Sequence, residues 1–107
     1  MYQDRQVVRE YNTLIVGEKE KRKFLFIGEA KSFFSSNDVK EFLDNLGDAK
    51  KYLKEFRGYQ IIGFVAGMNY GEGADTFAIR SGLFVFKPSG EMMVLDVPKG
   101  FKPKIWE

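Results

Sequence analysis

Apolar residues recur along this chain in two rhythms, and the switches between them outline its elements. Gln6–Val16 carries Val7, Val8, Leu14, Ile15 and Val16, a density of β-formers that predicts a strand. Gly17–Arg22 is almost wholly charged and reads as a solvated turn. Lys23–Ser32 follows as a second strand, apolar on both faces at its start, the pattern of a covered central strand. Ser35-Ser36-Asn37-Asp38 marks a helix start, because a serine hydroxyl accepts from a free amide of the first turn. From there Val39, Phe42, Leu43, Leu46, Ala49, Leu53 and Phe56 fall three or four apart along one stripe. Lys40, Glu41, Asp44, Lys51, Lys54 and Glu55 take the other face. Gly58 closes this predicted helix.

The remaining pattern is shorter in period. Ile61–Gly67 is an apolar run between turn signals and predicts a buried strand, with Asn69–Gly73 as the loop after it. A short helix is expected over Ala74–Ser81, stopped by Gly82. Leu83–Lys87 and Glu91–Val97 read as strands joined by the turn Pro88-Ser89-Gly90. Pro98 lacks an amide for a ladder and should end the last strand, leaving Phe101 and Trp106 to pin the tail. The order β-β-α-β-α-β-β joins an opening hairpin to right-handed crossovers, which predicts a mixed sheet with helices packed on it.

Bulk properties narrow the chemistry more than the fold. A chain of 107 residues is expected to form a single α/β domain, 1–107. No apolar run is long enough for a membrane helix, and the first residues lack the apolar stretch of a signal peptide, so a cytoplasmic location is the default. There is neither Cys nor His. That removes thiol nucleophiles, Ser-His triads and the usual zinc sites. What remains is chemistry by carboxylates, Lys, Tyr, Ser or a hard cation held by oxygens. The net charge of +2 permits a nucleic-acid partner without requiring one.

Parity along the second strand singles out two side chains. Phe24, Phe26, Gly28 and Ala30 share one face; Leu25, Ile27, Glu29 and Lys31 share the other. A carboxylate and an ammonium therefore project together, about 7 Å apart by strand rise. Such a pair suits cation-assisted phosphodiester hydrolysis, the carboxylate holding Mg²⁺ and the lysine orienting the nucleophile or offsetting developing charge. The plain alternative is a surface ion pair, which stabilises little and needs no function.

The wider string Phe24-Leu25-Phe26-Ile27-Gly28-Glu29-Ala30-Lys31-Ser32, followed by Asn37-Asp38-Val39-Lys40-Glu41-Phe42-Leu43, resembles PD-(D/E)xK nuclease-like proteins. Val65-Ala66-Gly67, Ala74–Ala78 and Gly82–Glu91 are also similar to a mostly uncharacterised prokaryotic group within them. The resemblance implies a restriction-endonuclease-like mixed sheet with flanking helices. It also implies Glu29 as a metal ligand, the Ala30 carbonyl as a further ligand, and Lys31 as the catalytic lysine. A cofactor of Mg²⁺ or Mn²⁺ and DNA as the substrate follow from the same likeness.

Two departures qualify this. The family's acidic residue on the preceding strand matches Asn12, which keeps an oxygen ligand but not the charge. Glu10, two residues away on the same strand face, is the other local candidate, and hairpin register decides which of Glu10 and Asn12 stands opposite Glu29. The N-terminal helix and extra strand of the fold also have no counterpart before Gln6. An unprotected sheet edge would then invite pairing, so a homodimer is expected. A catalytically inactive relative, serving as a nucleic-acid-binding or protein-interaction module, is the rival expectation.

Overall fold

The computed structural model describes residues 12–106. Its five strands are β1 (Thr13–Lys19), β2 (Arg22–Phe34), β3 (Gln60–Tyr70), β4 (Phe84–Ser89) and β5 (Met92–Leu95). They lie in the spatial order in which they occur along the chain. β1 and β2 are antiparallel, β2, β3 and β4 are mutually parallel, and β5 returns antiparallel on β4. The mixed α/β sheet expected from the pattern is therefore present. Its helices are α1 (Ser36–Gly47), α2 (Ala49–Tyr52) and α3 (Ala74–Arg80), with a 3₁₀ turn at Lys54–Phe56.

Strand order explains the layering. Two successive right-handed crossovers that advance in one direction across a sheet set their helices on the same side of it. α1 and α3 accordingly pack against each other and against one face. There Leu25 and Ile27 of β2, Val65 of β3 and Val85 of β4 meet Val39, Phe42 and Leu46 of α1 and Ala74 and Ala78 of α3, all buried. Gly63 lets the helices come close: a Cβ there would sit 2.5 Å from Leu46 Cδ1 and 2.7 Å from Leu83 Cδ2. β2 is thus interior to the sheet but, among the described residues, covered by helices on one face only. The expectation of a strand covered on both sides fails, since sequence density alone does not tell a covered face from an open apolar one.

Other boundaries shift for local reasons. The strand expected from Gln6 is described from Thr13 and runs on to Lys19, residues 6–11 lying outside the described part. The charged segment is mostly strand, and only Glu20-Lys21 turns, both at positive φ (53° and 69°), as a two-residue hairpin demands. The single helix expected up to Gly58 breaks at Gly47-Asp48 into α1, α2 and the 3₁₀ turn. Its apolar stripe is still buried, because Ala49 and Leu53 reach the same core in the shorter pieces. β3 extends three residues past Gly67 to Tyr70, whose hydroxyl accepts from the Gly67 amide at 2.9 Å and donates to the Phe86 carbonyl at 2.7 Å.

The tail is pinned as expected. Phe101 packs edge-on against Phe84, and Trp106 exchanges backbone hydrogen bonds with Ile61 at 2.9 and 3.1 Å. Between them the Lys104 amide donates to Gly82 O. Gly82 has φ of +88°, and a Cβ there would crowd Lys104, so this stop after α3 needs glycine twice over.

Candidate functional site

Glu29 and Lys31 leave β2 on the helix-bearing side, in its carboxyl half. In open α/β sheets this end of the strands is where helices begin and clefts form. The strand runs Leu25, Ile27, Glu29, Lys31 along that side from fully buried to exposed. Burial raises the proton affinity of Glu29; Lys31 opposes the shift, and Asp38 and Glu41 add to it. Asp38 and Glu41 act on Glu29 as nearby like charges, which, with burial, favour its neutral form.

Lys31 does not turn to Glu29 for its partner. Its ammonium lies 3.0 Å from Asp38 Oδ1 and 5.8 Å from the centre of the Phe34 ring. Asp38 in turn belongs to the start of α1. Its amide donates to Ser35 Oγ at 3.1 Å, and its Oδ2 accepts from the Ser35 amide at 2.9 Å, a reciprocal cap. The Ser35 amide, then the Lys31 ammonium, hold the Asp38 carboxyl below its ordinary range. The serine cap expected from the sequence is therefore present, and it fixes the acid that orients Lys31.

Asn12 closes the other side. The β1–β2 register pairs Thr13 with Gly28, so one further step places Asn12 opposite Glu29. Asn12 Oδ1 accepts the Ala30 amide at 3.3 Å. Amide and carbonyl of one strand residue point to the same edge, so the Ala30 carbonyl leaves β2 on the Asn12 side. Glu10 lies outside the described residues. Asn12, Glu29, Ala30 and Lys31 thus come together, with Asp38 and Glu41 arriving from α1.

Two of these were missed in the pattern. Asp38 was legible only as a cap, and Glu41 was assigned to the helix face turned from the core, although its field reaches Glu29. The signal was available. A helix starting two residues after a strand folds back over that strand's end, and Asp38 and Glu41 are one turn apart.

The donor set is one carboxylate, a backbone carbonyl and a side-chain amide oxygen. Among the described residues, no group of three or more acidic side chains is placed to hold a metal ion. The three oxygens suit a hard cation that keeps most of its water, with a single negative charge to hold it.

Neither a family model, nor a curated protein, nor a solved structure matches this chain. No helix among the described residues is long and apolar enough to cross a membrane.

Proposed function

We propose that this chain is a Mg²⁺- or Mn²⁺-dependent nuclease-like domain that cleaves DNA phosphodiesters at Glu29 and Lys31. One observation carries the proposal: Glu29, destabilised as an anion by burial, stands beside Lys31, with Asn12 Oδ1 fixed opposite on the Ala30 amide. Glu29, the Ala30 carbonyl and Asn12 would hold the cation. When bound, that cation polarises the phosphate and makes water a stronger nucleophile.

The chain's own residues do the rest. Lys31, whose ammonium already faces a carboxylate oxygen of Asp38, acts as a donor: it orients the attacking water and offsets charge growing on the phosphate. Its side chain is 38% exposed and its bond to Asp38 is open to solvent, which makes that partner exchangeable for an incoming phosphate. Asp38, braced by Ser35, holds Lys31 in place between turnovers. Asn12 supplies an oxygen where an acid would supply a charge. A unit charge about 4 Å away is worth up to about 4 kcal/mol at an effective dielectric near 20, so cation affinity is weak.

The test is nicking of supercoiled plasmid in Mg²⁺ or Mn²⁺. Wild type should cut slowly, Lys31→Ala not at all, and Asn12→Asp faster, most visibly at limiting metal. Cutting that persists in Lys31→Ala would defeat the proposal. Two observations favour the rival, an inactive binding module: position 12 lacks the acid, and no cluster of three acidic ligands forms among the described residues. DNA binding with no cutting by Asn12→Asp would select it.

A further inference from the structure

The sheet face turned away from α1 and α3 carries an unbroken apolar belt. Register brings Ile15 beside Phe26, Phe26 beside Ile62, Ala66 beside Phe86, and Phe86 beside Leu95, so these side chains share one side across all five strands. The belt forms a shallow hollow lined by Ile15, Phe26, Phe64, Phe86, Met93 and Leu95, among others, and its lining among the described residues is wholly apolar. Ile15 and Leu95 are about half exposed (50% and 49%). Among the described residues of β1 to β3, polar side chains on this face stand toward the ends of the strands: Lys19, Arg22 and Gln60 at one end, Thr13 toward the other.

We infer that this face is the seat of a second copy of the chain, packed sheet on sheet. The size is right. Five strands about 4.8 Å apart and about six residues tall give an apolar footprint of roughly 480 Å², within the roughly 300–600 Å² of the largest patch on a typical monomer, which is often functional. The described chain measures 39 × 36 × 25 Å, and the short axis is the thickness of one sheet and one helix layer. The face is therefore a broad side of a slab. A side of 39 × 36 Å leaves room around that apolar centre for the roughly 800 Å² per partner that stable complexes bury, with the centre dry and the rim polar.

Charge fixes the orientation. A two-fold axis lying in the interface and crossing the strands sets the Lys19–Arg22 end of one copy over the uncharged Thr13 end of its mate, so like charges stay apart. Among the described residues, the hollow's lining offers no polar group to orient a metabolite and no donor for a phosphate backbone. An identical apolar sheet complements it over its whole area. Glu29 and Lys31 lie on the opposite side, so both copies keep that site open, and this inference stands apart from the nuclease proposal.

Light scattering and sedimentation of the full chain test it. The expected mass is twice 12.4 kDa. Ile15→Arg and Leu95→Arg, at half-exposed positions that the core does not need, should each yield a folded monomer by far-UV circular dichroism. Lys51→Glu, on exposed helical surface, should leave the dimer intact. A wild-type monomer at tens of micromolar overturns the inference. So does a dimer indifferent to both arginine variants, which would have its interface elsewhere. Monomers that sediment with phosphatidylcholine vesicles would give the face to lipid, and overturn it equally.

Discussion

Asp38 splits its carboxylate between two duties: Oδ1 lies 3.0 Å from the Lys31 ammonium and Oδ2 accepts the Ser35 amide at 2.9 Å. Helix stability and the placement of the lysine are therefore coupled through one side chain. Ser35→Ala should cost about 1 kcal/mol in urea unfolding, as loss of an N-cap does. It should also loosen Asp38, so that Lys31-dependent cutting falls while Lys31 itself is unchanged. The sign with pH follows from the lowered carboxyl of Asp38. Its contribution is complete above the unfolded value of 3.8 and is lost as pH falls through the lower folded value. Asp38→Asn should flatten that acid arm of the stability profile; an unchanged arm would remove Asp38 from this role.

Glu29 behaves oppositely. Its folded carboxyl binds protons more tightly than the unfolded one, burial being the largest cause. Between the unfolded value of 4.5 and the higher folded one, the native state holds more protons, so stability falls as pH rises through that window. The penalty is fully present above it. Glu29→Gln should therefore raise the thermal midpoint at neutral pH and abolish cutting, with little change in midpoint below the window. A midpoint lowered at neutral pH would mean that the carboxylate is stabilised in place, against the arrangement described.

How much of this was visible beforehand can be judged from particular residues. The faces of β2 were legible because strand parity is rigid: Leu25 and Ile27 are buried and Glu29 and Lys31 follow them outward. The Ser35 cap was legible because its chemistry is local. The register opposite Glu29 was not, since it depends on a turn, and Glu20-Lys21 carries none of the Asn-Gly signature that would have placed one. Nor was the break at Gly47-Asp48, because the apolar spacing of three and four continues across it. The open face escaped notice for a different reason: an apolar belt left open and one covered by a helix read alike.

That turn makes its own prediction. Two non-glycine residues at positive φ are held there by the hairpin, at about 1–2 kcal/mol each for ordinary side chains. Replacing Glu20→Asn together with Lys21→Gly should stabilise the domain by about 1–2 kcal/mol in chemical denaturation. A loss of stability would show that the charged side chains themselves hold the hairpin.

Two glycines separate packing from backbone freedom. A Cβ at Gly63 meets Leu46 and Leu83, whereas one at Gly47 meets nothing within 4 Å. Gly63→Ala should destabilise by about 1–3 kcal/mol through overpacking. Gly47→Ala, at the last residue of α1, should stabilise by up to about 1 kcal/mol. Equal effects at both sites would contradict the close helix–sheet approach at Gly63.

The bridge between Ile61 and Trp106 has a consequence for biogenesis. β4 pairs with β3 only over Phe64–Ala66, so beside Ile61 the sheet is completed by the segment that carries Trp106. A nascent chain leaving the ribosome holds every strand well before it holds that stitch. Synthesis from the N-terminus therefore delivers the strands first and the partner of Ile61 after them, so sealing of that edge comes late in the order of emergence.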